Sequence, residues 1–307
     1  MFDITGKRFW FLRFSGIAIL VCLIALAFLG LKPGVEFSSG SMLTVKFTGD
    51  VSQPQLEQTL IDLGYPEALV QQTQPTGNYI IRTHELSAEQ QTALKDSLQE
   101  KVGSFTGDIS FRRVSPLIAS ETSRTAAIAV AIAAIGILFY VTWAFRRMPR
   151  PFRYGMCAII ALVHDALIPL GIFAILGSIL NWEINLMFIT GVLAVIGYSV
   201  NNTVIIFDRV RENLILGVSA DFSTVVNRSL LETMARSTNT AFTTLIAVLA
   251  LSLFVGATIQ NFAVVLIIGI IAGTYSSIFI SPLLLVIWDR REWSRVIRWM
   301  RPGQRTA

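Results

Sequence analysis

The sequence predicts a polytopic α-helical membrane protein with one small α+β domain outside the membrane, and three observations carry that prediction. Charged residues make up 15% of the 307-residue chain and apolar types 53%, against roughly 25% charged in a soluble globular chain. The apolar residues fall in six runs, each near the ~20 residues needed to cross a hydrocarbon core. Between the first run and the second, residues 32–124 have ordinary soluble composition, with eight Lys and Arg and eleven Asp and Glu. This distribution excludes a disordered chain and makes a pair of soluble domains or a nucleic-acid module a poor fit.

The predicted spans are 14–31, 125–145, 155–180, 184–207, 239–256 and 262–288. The first is too long for the apolar core of a signal peptide, and Leu31-Lys32-Pro33 offers no small-residue cleavage site, so it reads as a retained helix. Orientation follows the basic residues of the short loops. Residues 1–13 hold Lys7, Arg8 and Arg13; the loop after the second span holds Arg146, Arg147, Arg150 and Arg153; that after the fourth holds Arg209, Arg211, Arg228 and Arg236; and the tail, 289–307, holds six arginines. The alternate short loops have none. Both termini are therefore expected in the cytoplasm, with the basic residues against anionic lipid rather than nucleic acid. Cys22 and Cys157 sit in apolar runs and read as packing residues.

The segment 32–124 lies on the trans side in this topology. Ser41–Phe47 alternates as a strand does. Residues 53–63 place Leu56, Leu60, Ile61 and Leu63 at helical spacing behind a Ser52 cap. Residues 68–73 and 79–83 are β-rich around the turn 75–78. Residues 87–102 form a helix with Ser87 and Gln90 as a capping box, and 105–114 closes as a strand. The order β-α-β-β-α-β is the ferredoxin-like pattern. The segment holds one histidine and no cysteine, so it suits a binding platform better than a catalytic or metal site. A separate interfacial helix is expected over 220–234, where Phe222, Val225, Val226 and Leu230 share one side.

Polar side chains in a hydrocarbon core are costly, and each needs a reason. His164 and Asp165 lie about mid-depth in the third span, either as a clamp that glues helices or as an ion site. The fourth span carries Ser199, Asn201 and Asn202, then Asp208, Arg209, Arg211 and Glu212 at its cytoplasmic exit. Ser199 and Asn202 share one helix face, Asn201 and Asp208 another. The fifth starts with Arg236, Thr240, Thr243 and Thr244, a polar stripe headed by a cation. The sixth has Gly269, Gly273, Ser277 and Ser281 at every fourth position, the spacing of close helix packing. No nucleotide-binding loop, nucleophile–base pair or metal-ligand spacing occurs, so neither an enzyme nor a cofactor is expected. Any work done must draw on a partner or an ion gradient.

Residues 196–214, IGYSVNNTVIIFDRVRENL, resemble the fourth-helix signature of the SecF family. Three stretches agree with it: GVEFSSG at 34–40, ALVHD at 161–165 and GIIAGTYSSIFISPLL at 269–284. Arg236 to Thr240, RSTNT, resembles the family's Arg-headed fifth helix. The resemblance covers 34–288. It implies half of a twelve-helix RND-type transporter, completed by SecD. It implies a role beside the SecYEG channel, with YajC and YidC as further partners, in the inner membrane of a bacterium or a thylakoid-type membrane. There the proton motive force would move the outer domains and pull translocating preproteins to the trans side. The alternatives are an RND-class exporter half for small molecules or lipids, and a non-conducting structural subunit. The family's proton path uses an Asp that maps onto Asn202 and an Arg that maps onto Arg236. Asn202 does not titrate, so the acid is expected on SecD first and at Asp165 second.

Overall fold

The computed structural model describes residues 3–49, 51–73, 77–107, 109–254 and 257–293. The expected turn at 75–78 and the basic tail beyond 293 lie partly or wholly outside these residues.

Helix α1 (Arg8–Phe28) comes first. One flank of it, with Ile17, Leu20 and Phe28, is exposed, as expected of a helix bathed in lipid rather than water. A single helical turn, α2 (Val35–Ser38), precedes the sheet, where no helix was expected. The sheet has β1 (Gly40–Val45), β2 (Leu69–Thr73), β3 (Asn78–Thr83) and β4 (Ser110–Val114), in the order β2-β3-β1-β4. Every neighbouring pair is antiparallel, with Leu43 opposite Ile81, Val70 opposite Ile81 and Gly40 opposite Val114. Strand β4 is shorter than the expected 105–114. Phe105 only bridges Phe47, and Gly107, at φ 80°, turns the chain before pairing resumes at Ser110.

Two helices close one face of the sheet. In α3 (Gln53–Asp62) the Ser52 hydroxyl accepts the Gln55 N–H at the start of the helix. In α4 (Ala88–Lys101) Ser87 and Gln90 form the reciprocal capping box. Their Leu56, Leu60, Leu94 and Leu98 pack on Leu43, Val45, Val70, Tyr79 and Ile81, which share a sheet face by strand alternation. Met42 and Ile80 point the other way and meet Val35 and Val114.

From the sheet the chain passes into α5 (Pro116–Ala144), which starts at Pro116 rather than at the predicted residue 125. The extra turns are the polar stretch before the apolar run, and proline suits a first helical position. Next come α6 (Phe152–Leu180), α7 (Leu186–Ile215) and α8 (Phe222–Phe254). The last are α9 (Ala257–Phe279) and α10 (Ser281–Asp289). Five stretches among the described residues are long and apolar enough to cross a membrane: α1, α5, α6, α7 and Ile259–Asp289.

Two stretches differ in helix boundaries from what was expected. The interfacial helix over 220–234 and the span over 239–256 are one continuous α8, because no glycine or proline separates them. That predicted span ends at residues 255 and 256, outside the described ones. The last predicted span, 262–288, is two helices broken at Ile280. Pro282 has no N–H to give to the carbonyl one turn back, and its ring crowds that turn.

α7 and α9 run side by side and parallel. Gly191 meets Val265, Gly269 meets Val195, and Gly273 meets Ser199. Thr203 Oγ1 donates to Ser277 Oγ at 3.1 Å, at the same offset of 74 residues. At one end of the bundle Ile4 packs with Ile206, Val210, Val226, Leu230 and Val286. Arg8 pairs there with Glu292 at 2.6 Å, both buried. The two ends of the described chain are therefore on the same side of the bundle.

Candidate functional site: a buried carboxylate and a charged cavity

Three helices converge on Asp165, which has no exposed surface. α6 contributes Asp165 and its neighbour His164, whose Nδ1 is 2.9 Å from Asp165 Oδ1. α7 contributes Ser199, whose hydroxyl donates to Oδ2. α9 contributes Ser276, whose hydroxyl donates to the same oxygen at 2.6 Å. A carboxylate taken out of water loses several kcal/mol of hydration unless its lone pairs are bonded, and here both oxygens have partners. No Lys or Arg among the described residues pairs with it. The approach of α9 that brings Ser276 in depends on Gly273, where a Cβ would lie 3.0 Å from Ser199 Cβ. Ser277 on the next position donates to Gly273 O at 2.7 Å and lies 3.1 Å from Ser199 O.

Ser276 has a second acceptor, the Gly273 carbonyl at 3.2 Å. When Asp165 is charged, the Ser276 hydrogen points at it. When Asp165 carries a proton, that hydrogen can turn to the backbone without being stranded. His164 lines a groove of about 340 Å³ with Phe14, Ser15, Ile168, Ile271 and Tyr275, so the buried carboxylate is one side chain away from that groove.

A second, charged cavity of about 440 Å³ lies between α7 and α8, lined by Asp208, Arg209, Glu212, Glu232 and Arg236. Arg209 donates to Glu212 and to Glu232, each at 2.6 Å. Arg228 reaches the other Glu232 oxygen at 2.9 Å, and Arg211 lies 3.6 Å from Asp208. Buried Asn213 bonds Glu232 at 2.8 Å and Ser229 at 2.9 Å. The Asn213 amide, followed by Arg228 and Arg209, holds the Glu232 carboxyl down at about 2. Arg236 lines this cavity and forms no ion pair among the described residues.

The residues singled out in the sequence thus divide. His164, Asp165 and Ser199 come together. Asp208, Arg209, Glu212 and Arg236 line the charged cavity, with Arg211 beside Asp208. Asn202 lies on α7 between the two groups, buried, its amide nitrogen without a hydrogen-bond partner. Asn201 is exposed, as is Thr240. Thr243 and Thr244 donate to carbonyls of their own helix, to Asn239 O at 3.0 Å and Thr240 O at 2.8 Å. Gly269 and Gly273 face α7, and a Cβ on Gly269 would run into Val195. Ser276 was not singled out, since the every-fourth pattern through Gly273 and Ser277 steps over it. Asn213 and Glu232 were also missed; the only trace was the Arg228–Glu232 spacing of four on a helical segment.

Known proteins resemble this chain over most of its length. Residues 94–291 match the family described as protein export membrane protein SecD/SecF, C-terminal, and residues 24–51 match the SecD/SecF GG motif. A protein translocase subunit SecF from Thermobaculum terrenum is 38% identical over 98% of this chain and 98% of its own length. The protein translocase subunit SecDF of Bacillus subtilis is 33% identical over 94% of this chain but only 38% of that protein. The crystal structure of SecDF, a translocon-associated membrane protein from Thermus thermophilus, superposes with a TM-score of 0.84 at 29% identity. The superposition takes in 94% of this chain and 39% of that one. The chain belongs to the SecF family of protein translocase subunits.

Proposed function

We propose that the chain is an accessory subunit of the Sec export machinery that couples the proton motive force to movement of translocating polypeptides on the trans side. The observation that carries this reading is Asp165, a fully buried carboxylate with no Lys or Arg partner among the described residues, bonded in a way that accommodates both of its protonation states. Asp165 is then the proton carrier of this subunit. The unpartnered Asn202 amide, three residues from Ser199 and thus about 4.5 Å further along the helix, is a polar step toward the charged cavity with Arg236.

In this reading α8 holds the fifth of six spans, both termini are cytoplasmic, and the membrane is a bacterial inner membrane. The paired ends at Arg8 and Glu292 and the basic loops support the placement. The outer domain is ferredoxin-like: two helices on one face and the strand order β2-β3-β1-β4 favour that topology. SecD is the expected partner, since SecDF joins both names in one protein. Exposed Asn201, Arg236 and Thr240 also need cover inside a bilayer. SecYEG, YajC and YidC are placed further out in the same assembly.

Precursor processing in cells carrying the chain and its SecD tests this. Asp165→Asn should cause secretory precursors to accumulate while the subunit stays in the membrane at normal level. Unimpaired export in Asp165→Asn and in Arg236→Ala would instead favour a non-conducting structural subunit. Asn202, where the resemblance implies an acid, is the observation that keeps this second reading in play.

A further inference from the structure

The helices that meet at Asp165 meet again at a seam beside the outer domain. Asp165, Ser199 and Ser276 lie 15, 13 and 15 residues from Leu180, Leu186 and Asn261, about 20–23 Å of continuous helix at 1.5 Å per residue. Leu180 ends α6, Leu186 begins α7, and the loop between them, residues 181–185, is held from both sides. From α9, Asn261 Nδ2 donates to the Glu183 carbonyl at 2.8 Å. From the segment that leads into the sheet, Gly34 N–H donates to Ile184 O at 2.7 Å, and Ile184 N–H donates to Lys32 O at 2.9 Å. Glycine permits that approach, since a Cβ at Gly34 would lie 3.0 Å from Ile184 O. Lys32 Nζ donates to Asn181 Oδ1 at 2.6 Å. Inside the seam Arg82, on β3, forms an ion pair with Glu183, on the loop. Arg82 is 8% exposed and Glu183 1%, so salt screens this pair far less than a surface pair.

We propose that Glu183 is the positioning residue of a coupling joint, handing movement of α6, α7 and α9 around Asp165 to the outer domain through Arg82. The same three helices serve both places. When Asp165 is charged, the Ser276 hydroxyl ties α9 to α6. When Asp165 is protonated, that hydrogen can turn to Gly273 O; the tie is then lost and α9 is free to shift against α6. Packed helices carry such a shift along their length as rigid elements, and on α9 it arrives at the bond between Asn261 and Glu183. Glu183 has one grip on α9, through its main chain, and one on β3, through its side chain. The sheet therefore follows the helices instead of swinging on its two chain connections to α1 and α5. This joint rests on the proton-coupled reading above and adds to it the place where the change at Asp165 reaches the outer domain.

The test uses the full chain co-assembled with SecD in nanodiscs. Spin labels go at Glu89→Cys on α4 and Ile215→Cys at the far end of α7, both exposed; the native Cys22 and Cys157 are buried. Asp165→Asn, which fixes the side chain in a neutral form, should displace the label distance distribution from that of the otherwise unaltered chain. In an Arg82→Ala background the displacement should be lost, and in Arg82→Lys, which keeps the charge, it should return. A displacement that survives Arg82→Ala, or none on Asp165→Asn in the otherwise unaltered chain, overturns the joint. If Arg82→Ala does not assemble, Asn261→Ala, which frees Glu183 from α9, takes its place, and an undiminished displacement there overturns the joint. Precursor processing separates the two readings. Normal export in Asp165→Asn overturns the proton-coupled reading and the joint with it. Blocked export in Asp165→Asn beside normal export in Arg82→Ala leaves the proton carrier standing and overturns the joint alone.

Discussion

Asp165 owes its tolerance to its neighbours more than to its depth. Its serine donors contribute hydrogen bonds to a charged group, worth about 1.5–3 kcal/mol each. Ser276→Ala should weaken export less than Asp165→Asn does, and should be rescued by Ser276→Thr, as precursor accumulation would report. Glu232 makes a second prediction, on pH. Its carboxyl sits at about 2 in the folded chain, below the usual 4.5, so its stabilising share is fully present above about 4.5 and disappears as pH falls through about 2. The melting temperature of Glu232→Gln should lie below that of the unaltered chain at pH 7, and the gap should close as the pH is lowered toward 2. The sequence displayed Asp165, His164 and Ser199 because polar residues stand out in apolar runs. It hid Ser276 because a serine donor matters only through which helix it faces, and that depends on the packing of α9 against α7.

At the scale of elements, α7 and α9 depend on glycines that keep the helices close. Leucine at 273 would force the two apart; overpacking of this sort costs about 1–3 kcal/mol. Gly273→Leu should lower the thermal midpoint in detergent and also separate Ser276 from Asp165, so export should fail with it. The long helices of the bundle were legible from apolar length, and both capped helices of the outer domain start at the serines that the sequence marks. Boundaries were less legible. Residues 116–124, which end in the polar run Ser120–Arg124, extend α5 because a helix may run beyond the apolar layer, and residues 222–238 extend α8 for the same reason. The break at Ile280 was written in the sequence as Pro282 but hidden by the unbroken apolar run around it.

For the molecule as a whole, one buried ion pair ties its two ends. Arg8→Ala would take the guanidinium away from the buried Glu292 carboxylate, a loss of about 3–5 kcal/mol in comparable pairs, and should be visible as protease sensitivity of the N-terminal helix in inverted vesicles. The basic loops lead one to expect both termini on one side of the membrane, and the Arg8–Glu292 pair joins the ends of the described chain. The seam between outer domain and bundle was not readable, since Arg82 and Glu183 are about a hundred positions apart in the sequence, and neither is unusual in its own segment.

The pairing of Gly40 with Val114 has one more consequence. Facing residues in an antiparallel ladder lie about 5 Å apart, so the chain goes out to the sheet and returns through a single narrow neck. Everything between those residues is a cassette on a two-strand stem. Cutting it out and closing the stem with a short glycine-serine tie should leave the helices able to insert and assemble. A swap of cassettes between relatives would then report which properties of the subunit travel with the outer piece and which stay with the bundle.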